Sequence, residues 1–261
     1  MKMLITSGGT SVDLDEVRRI QNMSSGRFGA KIATAALQAG NGVFFLHAHN
    51  SVTPFTFNCD VTEVPFHEEV RMISRFIGMM NFRRAHEARY RPQQYRTFHE
   101  YHAHLKAQVV SGNFDVVVLA AAVSDYGPPG DTTEKKQGKI SSDREELMFR
   151  LEPLPKLIAQ VKQWNSDLYL VGFKLLVDAT FQELAEAAMK QIDRCGSDLV
   201  VSNDLHDIKK GNHKLHLFDK KGYVKTLQES QTNLAEALVE EISLRAVATI
   251  KSPWNREQPN A

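Results

Sequence analysis

Short apolar runs alternate with amphipathic segments along most of the chain, a pattern typical of an α/β fold. Five of these runs predict buried strands, at residues 3–5, 43–46, 115–123, 168–174 and 199–202. The third run reads DVVVLAAAV and has no polar interruption after its first residue. Such a run is typical of a strand that is covered on both faces of a parallel sheet.

Apolar residues at helical spacing predict helices between and after these strands, over residues 28–39, 70–80, 155–164, 180–192 and 232–250. The fourth helix opens with Thr180 and Glu183, the spacing of a capping box, so that residues 168–202 form a βαβ unit. Residues 214–218 and 223–227 flank the polar turn DKKG and predict an antiparallel hairpin. We also expect a hairpin between Ile140 and residues 147–151.

The remaining segments predict connections. Residues 50–65 contain two prolines and read as an irregular link, whereas residues 81–96 mix arginine with tyrosine. We interpret residues 70–110 as an insertion that serves as a lid or a subunit contact, although five arginines are also a weak signal for nucleic acid. Residues 1–250 are predicted to be one domain and residues 251–261 a flexible tail.

Composition narrows the class of protein. The chain has 261 residues, of which 42% are hydrophobic and 24% charged, and its formal net charge is +1. These values fit a globular protein without a bulk field for nucleic acid or membranes. Two cysteines are too few for a disulfide framework, and no signal segment or apolar run of bilayer length is present. We therefore expect a cytoplasmic protein that binds neither nucleic acid nor membrane.

The first strand ends in a glycine turn that suits an anion. Bare backbone amides and hydroxyls can approach a phosphate there, at Ser7, Gly8, Gly9 and Thr10. A second turn precedes the first helix, whose dipole faces the same crevice, at Ser24, Ser25 and Gly26. Neither a dinucleotide fingerprint nor a P-loop is present, so spacing alone leaves a phosphate site and a structural strand-to-helix connection open.

Histidines form two groups. His47 and His49 alternate at the end of the second strand and can contact a substrate phosphate, but satisfied or solvated histidines are the commoner outcome. His99, His102 and His104 lack a carboxylate or cysteine that completes a zinc site. We therefore favour structural roles for both groups.

Six ordered segments together resemble the phosphopantothenate-cysteine ligase family. They are ITSGGT at residues 5–10, DEVRRIQNMSSGRFG at 15–29, LAAAVSDY at 119–126, KISS at 139–142, VGFKL at 171–175 and DLVVSND at 198–204. The resemblance implies a three-layer, Rossmann-like fold with a mostly parallel sheet and an appended β-hairpin. It also implies a ligase of coenzyme A synthesis, which joins 4'-phosphopantothenate to L-cysteine through an acyl-nucleotide intermediate.

The resemblance assigns roles to residues of this chain. Asn22 binds the acyl-nucleotide and Lys139 is the catalytic lysine, with Lys135 or Lys136 as substitutes because Ser141 and Ser142 replace lysines of many bacterial members. Further residues are assigned to the nucleotide, namely Asp125 to the ribose, Phe173 to the base, and the pair Lys190 and Arg194 to the triphosphate. From charge alone that pair equally fits a solvated helix end. Ala121 and Ala122 are small enough for substrate to approach, or for close helix packing, and Asn203 and Asp204 are weaker candidates.

The resemblance leaves some choices open. The pair Gly172 and Phe173 favours CTP as co-substrate, whereas the long stretch at residues 70–110 resembles the eukaryotic branch, which often uses ATP. We expect Mg²⁺ with the nucleotide, without assigned ligands, and a homodimer. A different class, a nucleotide-binding sensor on the same fold, requires Asn22 and Lys139 to be idle. A dehydrogenase requires an acidic ribose clamp that is missing after the second strand.

Overall fold

A computed structural model describes residues 1–57, 66–128, 138, 140 and 148–249. The first half of the chain contains β1 (Lys2–Ser7), β2 (Ser11–Asp13), β3 (Arg19–Gln21), α1 (Arg27–Gln38), β4 (Gly42–Ala48), α2 (Phe66–His86), β5 (Tyr90–Tyr95), α3 (Phe98–Val110), β6 (Val116–Leu119) and β7 (Tyr126–Gly127). The second half contains β8 (Glu152–Pro153), α4 (Ile158–Trp164), β9 (Tyr169–Leu176), α5 (Phe181–Cys195), β10 (Leu199–Asp204), α6 (Leu205–Lys209), β11 (Lys214–Asp219), β12 (Gly222–Gln228) and α7 (Leu234–Thr249).

Eight strands form the central sheet in the order β12-β11-β10-β9-β6-β1-β4-β5. The six strands from β10 to β5 are parallel, and the hairpin β11–β12 joins β10 antiparallel. The predicted α/β class, the mostly parallel sheet and the appended hairpin are therefore confirmed. No helix within the described residues is long and apolar enough to cross a membrane.

Helices cover both faces of the sheet because alternate side chains of each strand point to opposite sides. Met3 and Ile5 of β1 pack in one core with α1 and α7, whereas Leu4 packs in another with α3 and α4. Helix α5 lies on the side of α4 and packs on Val200 of β10. The capping box of α5 is present, with Thr180 accepting from the N–H of Glu183 and Glu183 accepting from the N–H of Thr180.

The sequence interpretation of residues 70–110 needs correction for its second half. Tyr90–Tyr95 forms the edge strand β5, paired with β4, and α3 returns from it to β6. Tyr95, Tyr101 and Leu105 are buried in the core on that face. Residues 90–110 are thus part of the three-layer fold, and only α2 is left as a surface addition.

Three predicted boundaries also differ from the structure. Strand β6 ends at Leu119, so residues 120–123 of the apolar run leave the sheet and turn toward β1. Ile140 and residues 148–151 lie outside strands, and the short strand β8 pairs with β7 instead. Helix α4 begins at Ile158 rather than at residue 155. The rest of the predicted 140/147–151 hairpin and the tail at 251–261 lie outside the described residues.

An ion-pair network connects α7 to the hairpin. Glu241, which is buried, pairs with Lys225 and accepts from Arg245 Nε at 2.6 Å. The Arg245 guanidinium also contacts Asp219 at 2.6 Å. Burial alone would raise the pKa of Glu241, but the two cations outweigh burial and lower it below the ordinary glutamate value. This network fixes the antiparallel end of the sheet against α7.

Candidate functional site

The first glycine turn is held by the backbone of the segment that follows β6. The N–H of Thr10 donates to Ala122 O at 3.2 Å, and the N–H of Ala122 donates to Gly8 O at 2.8 Å. Gly8 has a left-handed backbone, with φ +85°, and an added Cβ there would lie 2.5 Å from Ala48 Cβ. At Gly9, an added Cβ would lie 2.3 Å from Asn22 O. Both positions therefore require glycine for close packing.

The second turn packs directly on the end of β1. Ser7 Oγ donates to Gly26 O at 3.0 Å, and Gly26 is left-handed at φ +72° immediately before α1. The first turn of α1 has no acidic residue, and Gly26 provides no side-chain cap. The positive end of α1 therefore reaches the carboxyl edge of the sheet with amides that a phosphate could satisfy.

The buried hydroxyls of the first turn are structural. Ser7 Oγ is used by Gly26, and Thr10 Oγ1 accepts from the N–H of Ser124 at 2.9 Å. Both residues are almost completely buried. These two side chains therefore shape the turn rather than bind phosphate directly as the sequence predicts. The exposed Ser25 and the half-buried Ser24 remain accessible to solvent.

Asn22 lies over the first turn. Its N–H donates to Thr10 O at 3.1 Å, its carbonyl accepts from the N–H of Ser24, and its Cβ would be 3.3 Å from a Cβ added at Gly9. Within the part of the chain that the structure describes, the half-buried side-chain amide makes no hydrogen bond. A free donor and acceptor therefore lie between the two turns.

The segment after β6 forms the third side of this crevice. Ala121 donates its N–H to Thr6 Oγ1 at 3.2 Å, and Ala122 is bonded to the first turn as described above. Asp125 lies beyond them, exposed, and pairs with Lys156. The carboxylate of Asp125 is thus at the rim of the crevice and keeps one oxygen beyond the lysine contact.

Two buried tyrosines support the end of β1. Tyr95 donates its hydroxyl to Ser7 O at 2.8 Å, and Tyr101 donates to Thr6 Oγ1 at 3.3 Å. Burial raises the pKa of both phenols, so that they stay neutral donors. The segment interpreted as an insertion therefore contributes the frame on which the glycine turn rests.

An aromatic cluster lies on the α1 side of the sheet. Phe173 of β9 meets Phe28 of α1 edge-to-face, with ring centroids 6.1 Å apart, and Phe28 meets His213 at 5.3 Å. Asn203 Nδ2 is 3.3 Å from His213 Nε2. Burial lowers the pKa of His213 and so favours its neutral form. Phe173 and Asn203 are thus brought together near the N-terminus of α1, with one apolar surface that suits a base.

The structure does not bring Lys190 and Arg194 to this crevice. Both are exposed on α5, which covers the sheet face opposite to α1. Helix α5 starts at the carboxyl edge, so Arg194 in its last turn is about 20 Å along the axis from that edge. Lys139, with Lys135 and Lys136, lies outside the described residues.

The other polar candidates have structural partners. Asp204 caps α6 through the N–H groups of His206 and Asp207 and also accepts from Ala179. Burial would raise the pKa of Asp204, but these three donors outweigh burial and lower it. His47 is buried with Nδ1 at 3.0 Å from Ala48 O. Among the described residues, no cluster of three histidine, cysteine or acidic side chains could hold a metal, so the histidines of α3 form no such group.

Sequence reasoning missed several residues that shape the site. Ser51 crowds both glycine turns, His213 and Phe28 complete the aromatic cluster, and Lys156 holds Asp125. Ser51 follows β4 by three residues, so its position at the carboxyl end of a strand was a usable signal. His213 had no local signal, because only the tertiary fold places the start of β11 beside α1.

Comparisons with known proteins identify relatives over nearly the whole chain. The family model "DNA/pantothenate metabolism flavoprotein C-terminal domain" matches residues 1–97 and 86–245. The coenzyme A biosynthesis bifunctional protein CoaBC of Thermococcus kodakarensis is 32% identical over 241 residues, which is 92% of this chain and 50% of the relative. Phosphopantothenate--cysteine ligase 1 of Oryza sativa subsp. japonica is 32% identical over 220 residues, 76% of this chain and 67% of the relative. The chain spans about half the length of the CoaBC relatives it matches.

Solved structures share the same fold. The DNA/pantothenate metabolism flavoprotein from Streptococcus pneumoniae superposes with a TM-score of 0.71 at 27% identity, covering 95% of this chain and 99% of the other. A Cab2 H337A mutant in complex with phosphopantothenate-cysteine superposes with a TM-score of 0.78 at 26% identity, covering 95% of this chain and 87% of the other.

Proposed function

Because the chain belongs to the family of the DNA/pantothenate metabolism flavoprotein C-terminal domain, we propose that it joins 4'-phosphopantothenate to L-cysteine through an acyl-nucleotide intermediate. The observation that carries this proposal is the side-chain amide of Asn22, which makes no hydrogen bond within the described residues and lies between two glycine turns, beside the start of α1, where Gly26 provides no side-chain cap. Phosphate binding and recognition of an acyl group are thereby combined at one edge of the sheet. We also propose that the reaction takes place in the cytoplasm.

The reaction needs two steps. In the first, a carboxylate oxygen of phosphopantothenate bonds to the α-phosphorus of the nucleotide while the bond to the β-phosphate oxygen breaks, and pyrophosphate leaves. In the second, the cysteine amine attacks the acyl carbonyl, the nucleoside monophosphate leaves, and the amine loses a proton. Both steps develop negative charge on oxygen, which backbone N–H groups and cations stabilise.

Different residues would bind the phosphates, the acyl group and the nucleoside. The amides of Gly8, Gly9 and the first turn of α1 would bind phosphate oxygens, while Asn22 would hydrogen-bond the acyl-nucleotide. Ala121 and Ala122 leave room for the pantothenate chain beside that amide. Asp125 would bind ribose hydroxyls, and Phe173 with Phe28 would pack against the base.

The roles that we propose for the cationic residues differ in part from those that the sequence predicts. Lys139 remains the proposed catalytic lysine, since the segment KISS at residues 139–142 resembles the family's catalytic segment. Lys190 and Arg194 are exposed on α5, which covers the sheet face opposite to α1, so we do not assign them to the triphosphate of the same chain. Mg²⁺ would bind together with the nucleotide, since phosphate oxygens and water supply most of its ligands in such sites.

We propose CTP as the co-substrate and ATP as the alternative. The deciding experiment measures pyrophosphate released from each nucleotide with 4'-phosphopantothenate, with and without cysteine. Release that requires phosphopantothenate supports the ligase. Nucleotide binding without release from either nucleotide would instead favour a sensor on the same fold.

We also propose a homodimer through α2. Five large apolar side chains on one side of this helix are exposed, at Val70, Ile73, Phe76, Ile77 and Met80. The stripe is self-complementary about a two-fold axis between Phe76 and Ile77, because an antiparallel second copy would then place Ile73 opposite Met80. A second copy of the chain would therefore cover a surface that a monomer leaves in water.

A further inference from the structure

The hydroxyl of Thr6 joins three elements of the fold at the end of β1. Its oxygen, Oγ1, accepts from the N–H of Ala121 at 3.2 Å and from the hydroxyl of Tyr101 at 3.3 Å. Thr6 belongs to β1, Tyr101 to α3, and Ala121 to the segment that leaves the sheet after β6. Thr6 has no exposed surface and Tyr101 almost none. Bulk water therefore does not compete for either hydrogen bond.

The wall of the crevice that the first glycine turn forms is anchored from several sides. Tyr95 donates its hydroxyl to Ser7 O at 2.8 Å, and Ser7 Oγ donates to the second glycine turn. The N–H of Ser11, just beyond the first turn, donates to Arg96 O at 2.9 Å. None of these contacts involves the hydroxyl of Thr6. We therefore expect the glycine turn to keep its position when that hydroxyl is removed.

The wall formed by the segment after β6 depends on that hydroxyl. Thr6 Oγ1 is the acceptor that the described residues provide for the N–H of Ala121. Ala122 then forms two backbone hydrogen bonds with the first glycine turn, one to Gly8 O and one from the N–H of Thr10. The bond at Ala121 thus fixes the segment where it first crosses the end of β1.

Tyr101 keeps the threonine hydroxyl in place. A hydroxyl oxygen can accept from two donors, and Tyr101 and Ala121 occupy both sites on Thr6. Burial raises the pKa of Tyr101, so the phenol stays a neutral donor. Helix α3 is itself fixed at its start by the capping box of Thr97 and Glu100. The donor to Thr6 therefore comes from a well-anchored helix.

The location of this junction gives it a functional meaning. Ala121 and Ala122 form the third side of the crevice, where the proposed function has the pantothenate chain. We propose that Thr6 and Tyr101 are positioning residues for 4'-phosphopantothenate, which hold Ala121 over the end of β1 and thereby set the width of the crevice on the side of the acyl substrate. This inference rests on the proposed ligase function, since only that function assigns the pantothenate chain to the two alanines.

The first test measures the contact without any substrate. Amide hydrogen exchange, followed by NMR on the folded full chain, gives the rate at which the N–H of Ala121 is exposed by local opening. Thr6→Val keeps the shape but removes the acceptor, so this N–H should exchange about ten- to a hundredfold faster, whereas Thr6→Ser should stay close to wild type. Ser202→Ala is the matched control, because it removes an equally buried hydroxyl, bonded to Leu184 O, from β10. Wild-type exchange at Ala121 in Thr6→Val would overturn the inference.

Tyr101→Phe tests the same junction by removing a single hydroxyl, and it serves in place of Thr6→Val if that variant does not fold. The N–H of Ala121 should then exchange about three- to tenfold faster, because the threonine hydroxyl is free to turn away. Exchange at the wild-type rate would show that Tyr101 does not orient the hydroxyl and would overturn its positioning role.

The second test separates positioning from general stability. Thr6→Val should raise the KM for 4'-phosphopantothenate about tenfold and Tyr101→Phe about threefold, while the KM for nucleotide changes less than about twofold. Thr6→Ser should restore the lower KM, and Ser202→Ala should change neither KM. A parallel rise of both KM values would overturn the positioning role, as would faster exchange at Ala121 with both KM values unchanged.

The two tests also separate this inference from the proposed function. A wild-type chain that releases no pyrophosphate from either nucleotide with 4'-phosphopantothenate would refute the ligase. The exchange rates at Ala121 would still decide whether Thr6 holds the segment after β6.

Discussion

Gly29 lies so close to Ser7 that a Cβ added to Gly29 would be 2.4 Å from Ser7 Oγ and 2.7 Å from Ser7 Cβ. Helix α1 and strand β1 thus meet at a glycine, and the same serine hydroxyl holds Gly26. The position of the positive end of α1 above the first glycine turn therefore depends on the absence of a side chain at residue 29.

Gly29→Ala should destabilise the protein by about 1–3 kcal/mol, because the added methyl forces α1 away from β1. Thermal and urea unfolding measure the change, and nucleotide binding should weaken in parallel. Gly78→Ala in α2 is the matched control, since an added Cβ there meets nothing within 4 Å and alanine favours a helix. If Gly29→Ala has the stability of wild type, the added methyl group does not force α1 away from β1, and the prediction is wrong.

Asn22→Ala should leave the unfolding midpoint unchanged but weaken retention of the acyl-nucleotide by about 0.5–1.5 kcal/mol, since its amide serves no hydrogen bond among the described residues. Quenched reactions analysed for the intermediate detect earlier release. Gln21→Ala, at the exposed preceding residue, should behave as wild type. Unaltered kinetics of both half-reactions in Asn22→Ala would contradict the assignment.

Lys139→Gln should reduce turnover about a hundredfold or more while nucleotide affinity changes little, because a charge at the reacting centre matters most in the transition state. Steady-state kinetics and equilibrium binding separate the two effects. If Lys135→Gln or Lys136→Gln abolishes turnover while Lys139→Gln retains it, the catalytic lysine must be reassigned.

Glu241→Gln should destabilise the chain by about 1–3 kcal/mol at neutral pH, because the pairs with Arg245 and Lys225 lose their charge. The pKa of Glu241 is lowered in the folded state, so its contribution is present above the ordinary glutamate pKa of about 4.3 and is lost as the pH falls below it. The difference in unfolding free energy between wild type and variant should therefore shrink as the pH falls below about 4. Glu240→Gln, on the exposed side of α7, is the control. A difference that stays constant with pH would refute the ion-pair explanation.

Phe76→Lys should convert a dimer into a monomer, because a charge at the centre of the apolar stripe of α2 would face its own copy. Light scattering over a range of concentrations measures the mass. Arg71→Lys on the same helix keeps the charge and should have no effect. A wild-type chain that is monomeric and fully active at assay concentration would rule out the proposed dimer.

The local pattern of apolar residues was sufficient to predict most strands of the central sheet. The runs that became β1, β4, β6, β9 and β10 are mostly apolar, and the capping box at Thr180 fixes where α5 begins. Strand β5 was missed because YRPQQY is polar, contains proline and lies at an edge with little burial. Of the predicted 140/147–151 hairpin, the described residues Ile140 and 148–151 lie outside strands, and β7 pairs instead with residues 152–153.

Some features of the candidate site can likewise be predicted from local sequence, whereas others depend on the tertiary structure. Glycine turns at strand ends are readable from sequence, and the structure does bring them together with Asn22, Ala121 and Ala122. The four-residue spacing of Lys190 and Arg194 shows that they share a helix face but cannot show which layer that helix joins. Asp15 Oδ2 likewise accepts from the N–H of Ile140, a contact that only tertiary structure can create, since the two residues are 125 apart in sequence.

The edge strand β5 also determines how copies of this chain can associate. Pro92 lies in the middle of β5 and Arg91 beside it is exposed. Proline is tolerated in an edge strand where its nitrogen faces away from the neighbour, so the missing N–H falls on the free side. A strand from another molecule would find an interrupted row of donors next to a charge. The central sheet therefore ends at β5, and this edge resists both a continuous intermolecular sheet and edge-to-edge aggregation.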